Sequence, residues 1–329
     1  MKVEADIFRG LAPLLRVRPE LQVICGFGAQ WEAKHIAEPQ GWAPFHIVTH
    51  GACLIDVADR VGVPLAAGDV AVLPHGAAHT IRSLPGAAGP PTIVRVERRL
   101  YDELLVKTNV DGEADTKLIC GRLCFEHACD NMVLDALPPV IVVGSGKASG
   151  DWRLGRIVDA IRSELEEEPL GGAAIAAALA SSLMLIVFAR HFEREHESRG
   201  ILALRSQRQT AKTLAAMLAA PARAWTLDDL ADAANTSRAT LVRLFQKSVQ
   251  VSPLAFLADL RLTLARHRIR TTRTPNAEIA AAVGYQSETA FSRAYRRRFA
   301  VTPGQDRKDA LGGGESGGWK PRPEHAAAD

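Results

Sequence analysis

The stretch Thr226–Gln246, TLDDLADAANTSRATLVRLFQ, decides how this chain is read. Leu227, Leu230, Ala231 and Ala234 line one face of a short helix. Asn235-Thr236 breaks it, and Ser237 is placed to cap a second helix with its side-chain oxygen. In that second helix Leu241, Leu244 and Phe245 recur at i, i+3 and i+4 and face inward. Ala239, Val242, Arg243 and Gln246 form the opposite stripe, flanked by Arg238 and Lys247. The pattern predicts helix, short turn, and a second helix with an exposed polar face.

The same device returns at Asn276–Phe299, NAEIAAAVGYQSETAFSRAYRRRF. Ile279, Ala280 and Val283 form the first apolar face, Gly284 ends it, and Ser287 caps the next helix. Phe291, Ala294 and Tyr295 face inward, while Glu288, Thr289, Ser292, Arg293 and Arg296 face out. Ser237/Ser287, Leu241/Phe291, Arg243/Arg293 and Phe245/Tyr295 coincide at an offset of 50 residues. Between the units Pro253–Thr271 reads as a long helix, with Phe256, Leu260, Leu264 and His267 on one side and arginines on the other.

Charge points to the partner. The 329-residue chain has a net charge of only +3, but residues 1–200 carry 20 basic and 26 acidic side chains, whereas 201–310 carry 18 basic and 8 acidic. A basic block on a duplicated helix-turn-helix is what double-stranded DNA requires. Outward side chains of the second helix reach base edges in the major groove, and basic side chains beside them neutralise phosphate. Arg243 and Arg293 can donate two hydrogen bonds to guanine, and Thr289 and Ser292 can contact bases. Lys247, Arg296, Arg297 and Arg298 are expected at phosphates. Two recognition helices on a rigid linker would enter major-groove segments about 34–36 Å apart. A small helical domain with a merely solvated basic face is the bland counter-reading.

Working outward, residues 151–204 read as helices: Leu154, Ile157, Val158, Ile161 and Leu165 are spaced helically, and Ala173–Ala189 follows without a charge. That run is short, Ala-rich and interrupted by Ser181 and Ser182, so a buried helix is expected rather than a membrane span. Pairing of two copies, or packing on the front domain, would employ these helices. Residues 1–150 hold short β-type runs at Phe45–Thr49, Ala52–Val57, Val70–Leu73, Thr92–Val96, Leu118–Phe125 and Val140–Val143, separated by turn residues. They predict an antiparallel sandwich or barrel. Residues 310–329, rich in Gly and Pro, are expected to be disordered. Met1–Pro19 mixes charges with no uninterrupted apolar core, so a cytoplasmic protein without a secretory signal is expected.

These motifs carry a resemblance. W-T-L-x-x-L-A at Trp225–Ala231, S-x-x-x-L-x-R-x-F at Ser237–Phe245, S-P-L-x-F at Ser252–Phe256, I-A-x-x-V-G-Y-x-S at Ile279–Ser287 and F-S-R-x-Y at Phe291–Tyr295 resemble the DNA-binding domain of the AraC/XylS transcription regulators. The resemblance spans 205–309 and implies base contacts from Ala239, Val242 and Arg243, then Glu288, Thr289, Ser292 and Arg293. A homodimeric activator with RNA polymerase as partner is expected, and repression stays open. Gly, usual in the family before the Ser-Pro and Thr-Pro turns, is replaced by Gln250 and Ala300, which predicts strain or a changed turn there.

In the front half, GDVAVLPHGAAH at Gly68–His79 fits the second cupin motif, and FHIVTHG at Phe45–Gly51 resembles a degenerate first one lacking H-x-H and its Glu. The whole is similar to a regulator with a cupin-type sensor: an all-β barrel in front of an all-α double helix-turn-helix. His46, His50 and His79, with His75 beside them, are candidate ligands for a divalent metal or contacts for an organic effector, and a purely structural role stays open. Cys25, Cys53, Cys120, Cys124 and Cys129 all lie in this half. Cys25 and Cys120 are candidates for sensing an oxidant, against the reading of buried small apolar residues. A metal-dependent cupin enzyme fused to a DNA-binding domain is the competing function.

Overall fold

The computed structural model describes residues 2–58, 60–86, 95–98, 104–125, 131–144, 152–167, 170–194 and 199–312. Cys129, the start of the Thr92–Val96 run and most of the 310–329 tail lie outside them. The chain divides into two compact units, Met1–Ala211 and Lys212–Asp329.

The first unit opens with helix α1 (Lys2–Leu11) and then runs through β1 (Val17–Phe27), β2 (Glu32–His35), β3 (Trp42–His50), β4 (Ala52–Val57), β5 (Arg60–Ala66), β6 (Val70–Val72) and β7 (His79–Arg82). It continues with β8 (Arg95–Arg98), β9 (Leu105–Thr108), β10 (Thr116–Phe125), β11 (Ile141–Val143), α2 (Trp152–Glu166), α3 (Gly172–Arg194) and α4 (Gly200–Ala203). Seven strands form one sheet in the order β11-β6-β3-β10-β1-β9-β8, and four form a second, β2-β7-β4-β5. Pairing is antiparallel except for β1 with β9, which run parallel.

Strand β3 is apolar on both faces because both are covered. Its Val48 joins Cys25, Phe27, Cys53, Ile55, Ile81, Leu118 and Cys120 in the core of the β unit. Phe45 and Ile47 alternate with it and are also fully buried. Gly121 on β10 lets β3 approach: a Cβ there would lie 2.8 Å from the Phe45 ring and 2.3 Å from the Glu20 carbonyl oxygen. The uncharged run of α3 is long and apolar enough to cross a membrane, but it buries Ala176, Ala180, Leu183, Met184, Val187 and Phe188 within this unit. Phe188 meets Phe125 of β10 at 6.1 Å between ring centroids, and Phe192 meets Phe8 of α1 at 5.5 Å. Its free side shows Ile175 and Leu185, 44% and 42% exposed.

Helix α5 (Arg208–Ala219) leads into the second unit, which holds α6 (Leu227–Ala233), α7 (Arg238–Val249), α8 (Pro253–Thr271), α9 (Asn276–Ala282), α10 (Glu288–Phe299) and α11 (Pro303–Gly312). The caps read from sequence form. Thr226 and Asp229 make a reciprocal capping box, Ser237 accepts from the Thr240 amide at 3.2 Å, and Ser287 accepts from the Ala290 amide at 3.2 Å. Gln250 and Ala300 both keep the left-handed turn, at φ 60 each, so the departure from Gly is absorbed as strain and not as a different turn.

Helix α8 differs from the one-sided helix expected. Phe256, Leu257, Leu260, Leu262, Ala265, Arg266 and Ile269 are all buried, because each helix-turn-helix packs on a different side of it. Phe256 meets Phe245 of α7, while Leu262, Ala265 and Ile269 meet Phe291, Tyr295 and Phe299 of α10.

Candidate nucleic-acid interface and candidate metal centre

Capping sets which face of each second helix is free. Leu241 and Phe245 anchor α7, and Phe291 and Tyr295 anchor α10; all four are fully buried. Arg238, Ala239, Arg243, Gln246 and Lys247 are consequently exposed on α7, with Val242 half-buried. On α10 Glu288, Thr289, Arg293, Arg296 and Arg297 are exposed after the exposed cap Ser287, with Ser292 half-buried. Arg243, Lys247, Arg293, Arg296 and Arg297 have no carboxylate within ion-pair distance among the described residues. Arg238 does: its Nε lies 2.8 Å from Asp228 at the start of α6.

Several arginines of the basic block turn inward instead. Arg298, expected at phosphate, bonds Asp259 of α8 at 2.5 Å. Arg261 donates to the Pro221 and Arg223 carbonyls, both at 2.7 Å. Arg266 and Arg270 converge on Asp306 of α11 at 2.9 and 2.8 Å, and the Tyr295 hydroxyl donates to the same carboxylate at 2.6 Å. Burial alone would raise the Asp306 carboxyl. The Tyr295 hydroxyl and the two guanidiniums outweigh it and hold that carboxyl below the usual carboxylate range. This strut ties α10 to α8 and α11, so the +10 block is partly scaffold and partly interface.

In the β unit, His46 of β3 and His79 of β7 meet, Nε2 to Nε2 at 2.8 Å. His79 Nδ1 lies 2.9 Å from the Ala77 carbonyl oxygen, and His46 Nδ1 lies 3.1 Å from Cys120 Sγ. A third ring, His35 of β2, was not singled out from the sequence. The β2–β7 register sets it directly opposite His79, and the two rings stack at 4.5 Å between centroids. The candidate ligand atoms of His35, His46 and His79 all lie within 4.8 Å of one another. Burial lowers the His46 pKa, helped by the neighbouring His35 and His79, and burial lowers that of His79 against the Ala77 carbonyl, which disfavours the charged form of both rings. His35 and His79 also line an open cleft of about 360 Å³ with Lys34, Asp56 and Thr80.

His50 lies elsewhere. Val48 pairs with Leu118 and His50 with Lys117, so the ladder slips at Thr49 and His50 ends exposed. That bulge defeats the alternation which would have set His50 beside His46. His75 is exposed as well, its Nε2 at 2.9 Å from the Leu137 carbonyl oxygen. Cys25 and Cys120 come close together on the paired strands β1 and β10, where Cys25 pairs with Leu118 and Cys120 with Val23, and both are buried in the same core. The Cys25 contact and then burial push the Cys120 thiol well up, and burial pushes the Cys53 thiol up to about 12. An activated thiolate needs the opposite environment.

The chain matches the cupin family over residues 6–193 and a helix-turn-helix domain over residues 230–309. It is 33% identical to a putative AraC-like transcription regulator of Streptomyces lividans, covering 92% of this chain and 98% of the relative. It is 28% identical to the HTH-type transcriptional regulator MtrA of Neisseria gonorrhoeae, again over 92% and 98%. A solved transcriptional regulator of Chromobacterium violaceum with an AraC-type DNA-binding domain is 29% identical over 34% of this chain and 97% of that one, with a TM-score of 0.32.

Proposed function

The chain belongs to the AraC-like transcription regulators that carry a cupin domain in front of a DNA-binding helix-turn-helix domain, and on that premise we propose how it reads DNA and what it senses. Helices α7 and α10 are the two recognition helices. Arg243, Ala239 and Val242 face bases in one major-groove segment, and Glu288, Thr289, Ser292 and Arg293 in the next. Arg238, Gln246, Lys247, Ser287, Arg296 and Arg297 border these faces and hold phosphates. The observation that carries this reading is the equivalence of Arg243 and Arg293. Each follows a serine cap at the same spacing, is exposed, and has no carboxylate partner among the described residues.

The cupin unit works as a sensor and not as an enzyme, the histidine cleft receiving a small-molecule signal in the cytoplasm. Its donor set fits a metal of the kind cupins hold, through imidazole nitrogen alone, without the carboxylate of the first cupin motif. Two copies pair through the free side of α3, where Ile175 and Leu185 stand out of the helix, and RNA polymerase is the partner at the promoter. Footprinting the full chain on the DNA upstream of its own gene tests the reading. Protection of two major-groove segments about one helical turn apart supports it, and protection confined to a single segment refutes it.

A further inference from the structure

We propose that His35, His46 and His79 bind one borderline divalent cation of the zinc class through ring nitrogens, and that occupancy is passed to Cys120 by a change of tautomer at His46. The inference rests on the cupin unit being the sensor. His35 lies outside both cupin-like stretches, Phe45–Gly51 and Gly68–His79, and only the β2–β7 register brings it to the other two. No carboxylate belongs to the group among the described residues. Three imidazole ligands favour a borderline cation over Mg²⁺ or Ca²⁺, which take oxygen ligands.

The hydrogen bonds around the cluster resemble the outer support of a metal site. A ligating histidine commonly donates its second ring N–H to a backbone carbonyl, as His79 Nδ1 does to Ala77 O at 2.9 Å. With zinc–nitrogen bonds of about 2.0–2.1 Å, two ligands of a tetrahedral ion sit roughly 3.3 Å apart. The His46–His79 pair, at 2.8 Å, must therefore widen slightly. His35, half-buried at the cleft, must turn its ring inward from its stacked position. The cleft leaves the cation's remaining position open to a small molecule.

The same bonds fix where the protons are. Ala77 O only accepts, so His79 carries its proton on Nδ1 and its Nε2 is bare. His46 Nε2 must then carry the proton it shares with His79 Nε2, leaving His46 Nδ1 to accept from the Cys120 S–H. A cation on both Nε2 atoms displaces that proton, and the neutral His46 ring takes it up on Nδ1. No proton is lost overall. The His46–Cys120 bond reverses direction: Nδ1–H now donates to Sγ, and the Cys120 S–H turns away from His46, toward β1, whose Cys25 shares the same core. Metal occupancy is thus felt across β3, β10 and β1 without oxidation of a thiol.

The test uses the full chain without DNA, stripped with a chelator and titrated by calorimetry with Zn²⁺ or Mg²⁺, followed by elemental analysis after gel filtration. One equivalent of zinc and no magnesium is expected. Loss of a supporting outer residue costs 10–100-fold in metal affinity, so His35→Ala is expected to weaken zinc by more than about 100-fold. His35→Gln, closer in size and polarity, is expected to match it, and His50→Ala to bind as wild type. Long-range ¹⁵N NMR is expected to show His46 protonated on Nε2 without zinc and on Nδ1 with it. No zinc bound by wild type, wild-type zinc affinity in both His35 variants, or an unchanged His46 tautomer overturns the proposal. A footprint that persists without zinc binding would leave the DNA-reading account standing while this one fell.

Discussion

Replacing Asp306 with alanine tests whether the second recognition helix is held by charge. The Asp306 carboxylate is 3% exposed and meets Arg266, Arg270 and Tyr295 at 2.9, 2.8 and 2.6 Å. Removing it takes away the carboxylate that the buried Arg266 guanidinium meets at 2.9 Å. Breaking a buried pair from one side costs about 3–5 kcal/mol, a large part of the roughly 5–15 kcal/mol that holds a domain folded. At about 4–8 °C per kcal/mol for a domain near this size, the helical unit should lose on the order of 15 °C or more in melting temperature. Asp309, exposed on the same helix, supplies the control: Asp309→Ala should change stability by less than about 0.5 kcal/mol. Chemical denaturation followed by circular dichroism reads both. A loss below about 1 kcal/mol for Asp306→Ala would refute the strut.

Three further outcomes follow from the same geometry. Because the Asp306 carboxyl is held below its unfolded value of about 3.9, the strut contributes fully above that pH and is lost as pH falls through the depressed folded value. Acid melting curves of wild type and Asp306→Asn should therefore begin to converge as pH falls below about 4, and parallel curves would contradict this. Gln250→Gly and Ala300→Gly relieve left-handed strain of about 1–2 kcal/mol against an unfolded-state cost of about 0.5–1 kcal/mol. Each should raise stability modestly in equilibrium unfolding, and a fall at both sites would show the turns to be unstrained. Arg297→Ala should weaken binding to all DNA sequences alike and reduce the salt slope by about 1, whereas an unchanged slope would remove Arg297 from the phosphates.

The helical unit was readable because its signals are local. Serine caps and apolar residues at i, i+3 and i+4 lie within one or two turns of the helices they define, and the second unit repeats them 50 residues on. Its arginines were not readable singly. Arg298 looks like its neighbours Arg296 and Arg297 in sequence, and only the packing of α10 on α8 turns it to Asp259. In the β unit the candidate site depends on pairing between distant strands. His35 and His79 end and begin strands of four residues each, too short for a period to register, and they meet through a ladder. His50 shares the degenerate first cupin-like stretch with His46, and only the bulge at Thr49 shows that it ends exposed. The eleven-residue β1 escaped because RPELQVICGF contains Pro19 and charges near its start, and α1 because nothing singles out Lys2–Leu11 before its packing against α3 is known.

The central claim is that α7 and α10 each read bases through an equivalent arginine. Binding-site selection with the full chain tests it most directly, comparing wild type with Arg243→Ala and Arg293→Ala. Each variant is expected to lose preference at one base pair, at about 1–3 kcal/mol, with the two positions about 10–10.5 base pairs apart. Base preferences identical to wild type in both variants, or relaxation by both at the same position, would contradict it.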